Sequence, residues 1–197
     1  MLEKSGSVRA MEALRSHFGG VFDINSVFGY KFDEFFAFCQ YLGYYGYIAG
    51  GVEGKLQSPE EFIRHRKGNC WDQTELQREW FERRGHQVKT YLLYYYLRDD
   101  YCPSHSILTY LDEDRWCWFE PMFYGTAVEY SGVHKYFREE ELLEDFKRVF
   151  ALNGQRSEML PDKIDETKWS LYEYERPSYG ISDVEFYEHC RKGKRIL

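Results

Sequence analysis

The stretch RKGNCWD, Arg66–Asp72, sets how the chain around it is arranged. A Gly-Asn pair interrupts the backbone, Cys70 follows at once, and a helical pattern begins there and runs to about Arg84. We therefore expect the Cys70 sulfur at a helix N-terminus, where unpaired N–H groups and the helix dipole favour negative charge. Because the thiolate is the nucleophilic form of cysteine, Cys70 is a candidate nucleophile.

The helix predicted over residues 70–84 has the apolar spacing of an element packed against a core. The residues expected near its Cys70 side are Gln73, Thr74, Gln77, Trp80 and Phe81. The residues expected to point mostly outward are charged: Glu75, Arg78, Glu82 and Arg83. Gly85 supplies a C-terminal stop, and Asp72 is expected to stabilise the first turn.

Length and composition limit the function classes. At 197 residues, with 43% hydrophobic and 30% charged residues, the chain fits a single domain spanning 1–197. A formal net charge of −7 argues against a general nucleic-acid binder, which needs a basic face to neutralise phosphates. The basic cluster at residues 191–195 is short, and we expect a solvated end there.

Cysteine usage and apolar runs bear on localisation. The five cysteines are odd in number and lack tight spacing, and residues 1–15 contain no apolar signal segment. Free thiols in a reducing cytoplasm are therefore expected. The longest weakly polar run, residues 41–52, is interrupted by glycines and is too short to span a bilayer, so no membrane segment is predicted.

Three strands and a hairpin are predicted after the helix. Residues 88–97, 104–111 and 116–122 are rich in Tyr, Leu, Val, Thr and Trp, and the polar turn at 112–115 joins the last two. Side chains alternate along a strand, so His105 and Glu120 fall on the same side of this hairpin, with β-carbons about 4.5–8 Å apart. Cys117 is expected to face the other way. The pattern predicts a histidine oriented by a carboxylate.

The flanking segments carry weaker patterns. Helices are predicted over residues 7–17, 33–42, 58–68 and 139–152, and another opens at the capping box Ser182–Glu185. A Gly- and Tyr-rich loop is expected over residues 43–54, where it offers a pocket wall. Residues 155–174 are expected to be irregular, with one strand near 169–174.

Three motifs in order resemble the core of the transglutaminase-like superfamily, including bacterial transglutaminase-like domain proteins. They are residues 68–73 (GNCWDQ), 104–106 (SHS) and 118–121 (WFEP), which place Cys70, His105 and Glu120 at separations of 35 and 15 residues. The resemblance covers roughly residues 58–123. The superfamily usually has aspartate at the third position, whereas this chain has Glu120, whose carboxylate can orient an imidazole equally well.

The resemblance implies an α+β, papain-like fold in which the cysteine-bearing helix packs on an antiparallel sheet. It also implies a Cys-His-Glu triad that attacks an amide of a peptide or protein through a thioester, without a cofactor or metal. Hydrolysis and acyl transfer both remain open. The backbone N–H of Cys70 is one oxyanion donor, and weaker candidates for oxyanion binding or positioning are Trp71, Gln57, Tyr44, Tyr45 and Tyr47.

Two alternatives remain open from the residues alone. Soft ligands follow one another at Cys70, Cys102, His105 and Cys117, a set that zinc favours, although the CxxC spacing is missing and Cys117 should point away from His105. A catalytically inactive, peptide-binding module that keeps the fold is the other alternative. In that case Cys70 would be no more reactive than the other thiols.

Overall fold

The computed structural model describes residues 12–20, 24–99, 101–121 and 128–197 of the chain. Its helices are α1 (residues 12–18), α2 (Ile24–Gly29), α3 (Phe32–Gly46), α4 (Pro59–His65), α5 (Cys70–Glu82), α6 (Glu139–Arg156) and α7 (Asp183–Arg191). Its strands are β1 (Val88–Tyr95), β2 (Ser104–Asp112), β3 (Arg115–Glu120), β4 (Gly132–Tyr136), β5 (Trp169–Glu173) and β6 (Lys194–Arg195). The predicted residues 7–11 and Met122 lie outside the described chain.

The strands form one six-stranded sheet in the order β4-β3-β2-β1-β5-β6, and every neighbouring pair is antiparallel. The predicted β2–β3 hairpin is present, closed by Glu113 and Asp114 between the paired residues Asp112 and Arg115. Glu113 has a φ of 54°, which a two-residue turn between twisted strands requires. The chain is therefore an α+β protein with an antiparallel sheet, as predicted.

Helices cover both faces of the sheet. Leu108 and Phe119 point to the face on which α3, α4 and α5 pack, whereas Ile107 and Trp118 point to the face covered by α6. Cys117 belongs to the α5 face, so alternation places it opposite the face of His105, and that prediction is confirmed. The sheet thus separates two apolar clusters.

Helix α5 is buried nearly all round, which corrects the expectation that Glu75 and Arg78 point outward. Their exposed fractions are 0% and 5%, and they form an ion pair with 3.0 Å between Arg78 Nε and Glu75 Oε2. Arg78 also donates to Thr90 Oγ1 of β1 and to the carbonyl of Tyr174, which follows β5. The helical periodicity predicted the wrong side for Glu75 and Arg78, because a segment far along the chain covers their ion pair.

The segment predicted as a loop over residues 43–54 is helical at its start, because α3 continues to Gly46. A β-carbon at Gly46 would overlap the carbonyl of Arg66, so glycine lets the end of α3 touch the chain entering α5. Gly46 therefore serves close packing at the helix end, whereas Gly51 and Gly54 lie in the loop with φ values of 67° and 63°. The loop proper begins at Tyr47.

The second half of the chain contains more regular structure than the sequence indicated. Strand β4 was missed because its five residues are mostly half-buried and lack a strong apolar alternation. The basic end also pairs with β5 as the short strand β6, although both residues are exposed, as expected. The predicted strand near residue 169 and the capping box at Ser182 are confirmed as β5 and α7.

Helix α6 is longer than predicted and ends at Arg156, not near residue 152. Its first turn carries Glu139, Glu140 and Glu141, which suit the positive end of the helix dipole. Its buried face packs against the sheet through Leu142, Phe146 and Phe150. Neither α6 nor any other helix in the described ranges has the length and apolar character needed to cross a membrane.

Candidate active site

A buried capping box fixes Cys70 as the first residue of α5. Asn69 Oδ1 accepts the backbone N–H groups of Trp71 and Asp72 at 2.9 and 3.3 Å. In return, Asp72 Oδ2 accepts the N–H of Asn69 at 2.9 Å. The predicted helix start is thus confirmed, and Asp72 stabilises its first turn as expected.

The same carboxyl ties the helix start to the preceding chain. Asp72 Oδ1 accepts the backbone N–H of Gln57 at 2.8 Å, and the Gln57 side chain bonds to the Lys67 carbonyl and to His65 Nδ1. Burial raises the pKa of Asp72 to about 6, although the N–H groups of Gln57 and Asn69 act to lower it. The carboxyl is therefore a structural acceptor inside the protein.

Glycine at position 68 permits a close chain crossing just before Cys70. A β-carbon there would overlap Asp72 Oδ2. The N–H of Gly68 donates to the Gly46 carbonyl at 2.9 Å, and its own carbonyl accepts from Ile48 at 2.8 Å. These bonds hold Tyr47, between the two partners, alongside the start of α5.

His105 and Glu120 form the histidine–carboxylate pair that the hairpin predicted. Their Nε2 and Oε2 atoms are 2.9 Å apart, and the residues are 9% and 5% exposed. Since Leu108 pairs with Phe119, Glu120 is diagonal to His105 on the same face. The His105 ring also lies 6.3 Å from Phe150, in parallel orientation.

Cys70 reaches His105 although α5 packs on the opposite face of the sheet. The described pairing of β3 with β2 extends from Leu108 to Asp112, so the first residues of β2 lie beyond it. At this end Ser106 Oγ donates to the Cys70 carbonyl at 3.1 Å, which docks the start of α5 on β2. Cys70, His105 and Glu120 then line one cavity of about 10 Å³.

The electrostatics of His105 fit an ion pair. Burial alone lowers the pKa of an imidazole, but here the charge of Glu120 and the hydrogen bond to Cys70 outweigh it and raise the His105 pKa to about 10. Because Nε2 faces Glu120, Nδ1 is the ring nitrogen left for the thiol. The direction of the shift favours the protonated imidazole, which has the Glu120 carboxyl group and the Cys70 thiol as neighbours.

Two tyrosines approach Cys70 from outside this triad. Burial and then the negative charge of Cys70 raise the pKa of Tyr47. Burial raises the pKa of Tyr187 too, with Cys70 again contributing, although the hydrogen bond to Ser104 opposes the shift. Tyr47 is one of the loop tyrosines that the sequence suggests for oxyanion binding or positioning. Tyr187 was not predicted, because the only sequence signal in its region is the capping box of α7.

The weaker positioning candidates have distinct locations. The Trp71 ring stacks on Phe186 of α7, with ring centroids 4.4 Å apart, and its buried Nε1 has no hydrogen-bond partner among the described residues. Gln57 braces the helix start through the bonds given above. Tyr44 is 51% exposed and packs edge-on against Tyr45.

The cysteines are spread through the protein as free thiols. Cys39, Cys70, Cys117 and Cys190 are buried, and Cys102 is half-buried. Cys117 lies on the α5 face and pairs with Lys135 of β4, away from His105. Within the described ranges, no three His, Cys, Asp or Glu side chains are placed to hold one metal ion.

Comparisons of the chain with protein-family models, with curated proteins and with solved structures gave no match. The transglutaminase-like assignment therefore stays a prediction from three motifs. The functional proposal rests on the geometry of Cys70, His105 and Glu120.

Proposed function

We propose that the protein is a cysteine-dependent amide hydrolase or acyltransferase with a transglutaminase-like, papain-like core. The observation that carries the proposal is that Cys70, His105 and Glu120 line one cavity, with His105 Nε2 hydrogen-bonded to Glu120 Oε2 at 2.9 Å. They come from a helix start and two strands, in the order that the motifs predicted. A nucleophile, a base and an orienting group within contact distance are the parts that nucleophilic acyl transfer needs.

The first half-reaction is the acylation of Cys70. Its thiolate attacks the carbonyl carbon of a peptide amide, forming the C–S bond and an oxyanion. The His105 imidazolium then gives its proton to the amide nitrogen, the C–N bond breaks, and the amine leaves. The product is a thioester on Cys70 and a neutral His105.

The second half-reaction regenerates the thiol. Water or an amine attacks the thioester, His105 removes its proton, and the C–S bond breaks to release an acid or a new amide. Glu120 keeps its hydrogen bond to His105 and stabilises the imidazolium in both halves. The N–H of Cys70, at the first helical position, has no acceptor within α5 and is the proposed oxyanion donor.

The test is the rate at which iodoacetamide labels each cysteine as a function of pH, in the wild type and in His105→Ala. We expect Cys70 to react about tenfold faster than Cys102 below pH 7, because the imidazolium stabilises its thiolate. His105→Ala should remove that advantage and leave Cys102 unchanged. Peptide mapping by mass spectrometry distinguishes the sites.

The half-buried Cys102 is the internal control, because its exposure permits labelling without an adjacent histidine pair. If Cys70 labels no faster than Cys102 in both proteins, the proposed chemistry is wrong. The inactive, peptide-binding alternative would then account for the retained fold. If the advantage is present, screening peptides with water and with amine acceptors separates hydrolysis from transfer.

A further inference from the structure

A groove of about 430 Å³ lies between the end of β1, the chain that follows it, and helix α7. That volume is within the range of clefts that bind small ligands or long side chains. Tyr187 lines the groove and packs edge-on against Trp71, the residue after Cys70, with ring centroids 5.3 Å apart. The Tyr187 hydroxyl also bonds to Ser104, the residue before His105, at 2.6 Å. Tyr187 therefore separates the groove from the residues that adjoin Cys70 and His105.

The groove is lined by more negative than positive charge. Its carboxyl groups belong to Asp99, Asp183 and Glu188, and Arg191 is the one cation that lines it among the residues the structure describes. The Arg191 guanidinium is already engaged, since its Nε donates to the Tyr94 hydroxyl at 3.3 Å. The formal charge of the lining is therefore negative and favours a cationic occupant.

The aromatic side chains that line the groove also favour binding of a cation. Tyr94, Tyr101 and Tyr187 line the groove, and the faces of aromatic rings attract positive charge. Arg191 lies over the Tyr94 ring at 5.6 Å, so this wall already holds one guanidinium. Asp183, the first residue of α7, is half-buried and lines the groove with Glu188 of the same helix.

We propose that this groove binds a lysine or arginine side chain of the peptide whose amide Cys70 attacks. The aliphatic part of that side chain would lie along the tyrosines, and its charged end would meet Asp183 and Glu188. The proposal rests on the proposed function for the identity of the occupant. It gives the enzyme a preference for a basic residue close to the reacting amide.

The test measures peptide binding to Cys70→Ala, which cannot turn the peptide over. The probes are fluorescein-labelled hexapeptides in which one lysine is moved through every position, each matched by a peptide with norleucine there. Fluorescence anisotropy should show that lysine binds about fivefold more tightly at one position or more, the effect of a partly screened ion pair. The preference should shrink as salt is added.

Variants in the Cys70→Ala background test the assignment. Glu188→Gln removes an exposed groove charge in the middle of α7, and Asp183→Asn removes a half-buried carboxylate at the start of the same helix; each should reduce the lysine preference. Asp114→Asn makes the same change in the turn at the far end of β2 and should leave the preference intact. If lysine is preferred at no position, or if both groove variants keep the preference, the inference is wrong.

The outcomes also separate this inference from the proposed function. Fast labelling of Cys70 without any lysine preference refutes the proposed role of the groove and supports the proposed function of the triad. A lysine preference that depends on Glu188, combined with slow labelling of Cys70, refutes the proposed catalytic function of the triad. The groove would then bind peptides in a protein without that activity.

Discussion

His105 depends on opposing influences whose balance sets its protonation. Burial lowers the His105 pKa, whereas Glu120 and Cys70 raise it to about 10. Because the folded pKa lies above the value of 6.5 for free histidine, the folded chain binds the proton more tightly than the unfolded chain. The resulting stability is fully present below pH 6.5 and is lost as the pH rises through about 10.

Glu120→Gln should lower the His105 pKa by about one unit or more, because the largest raising influence is removed and burial continues to act. NMR titration of the histidine Cε1–H resonances measures the shift, with His105→Ala identifying the signal. The fast labelling of Cys70 at low pH should fall in parallel. Asp114→Asn, a comparable neutralisation on an exposed turn, should leave His105 unchanged, and an equal shift in both variants would contradict the role of Glu120.

The start of α5 owes its position to Asp72, which accepts two buried backbone N–H groups, those of Gln57 and Asn69. Asp72→Ala should therefore reduce the free energy of unfolding by about 2 to 3 kcal/mol, because both donors stay buried without an acceptor. Urea denaturation measures the loss.

Helix α4 provides a matched control because it has the same kind of capping box, formed by Ser58 and Glu61, in an exposed position. Glu61→Ala should cost about 0.5 to 1 kcal/mol, since water replaces the lost acceptor. Equal losses in the two variants would show that burial does not set the importance of the Asp72 cap.

The elements that the sequence predicted correctly are those that depend on contacts between residues close together in the chain. The Cys70 helix start, the hairpin that joins His105 to Glu120, and the box at Ser182 each depend on residues within about one turn or one hairpin of each other. The errors concern distant contacts. Helical periodicity predicted an outward Arg78, because it cannot register that Tyr174, 96 positions later, packs over this side chain. The α7 motif likewise contains no sign that Tyr187 packs beside Trp71.

Across the whole molecule, Arg78 connects three parts of the fold: α5, β1 through Thr90, and the chain after β5 through Tyr174. Burial raises the pKa of Glu75, while the charge of Arg78 lowers it. Arg78→Ala should reduce the free energy of unfolding by about 3 to 5 kcal/mol, because it leaves Glu75 buried without its partner. Urea denaturation followed by tryptophan fluorescence measures the change.

The exposed pair between Arg83 and Glu79 on the same helix is the comparison for that loss. Arg83→Ala should cost less than about 1 kcal/mol, because its ion pair is largely solvated. If the two arginine variants lose the same stability, the buried pair does not join the sheet to the helix in the manner described.

Cys70 and His105 come together at the start of β2, beyond its described pairing with β3, and this position has a consequence for folding during synthesis. The two residues are 35 positions apart; Cys70 begins α5, which packs on one face of the sheet, whereas the His105 ring lies against α6 on the other face. While the chain emerges during synthesis, and in any partly folded state, the thiol lacks its imidazolium partner. On the proposed mechanism, Cys70 therefore gains its partner only after α5 and β2 have packed together, and the nascent chain does not yet carry the assembled site.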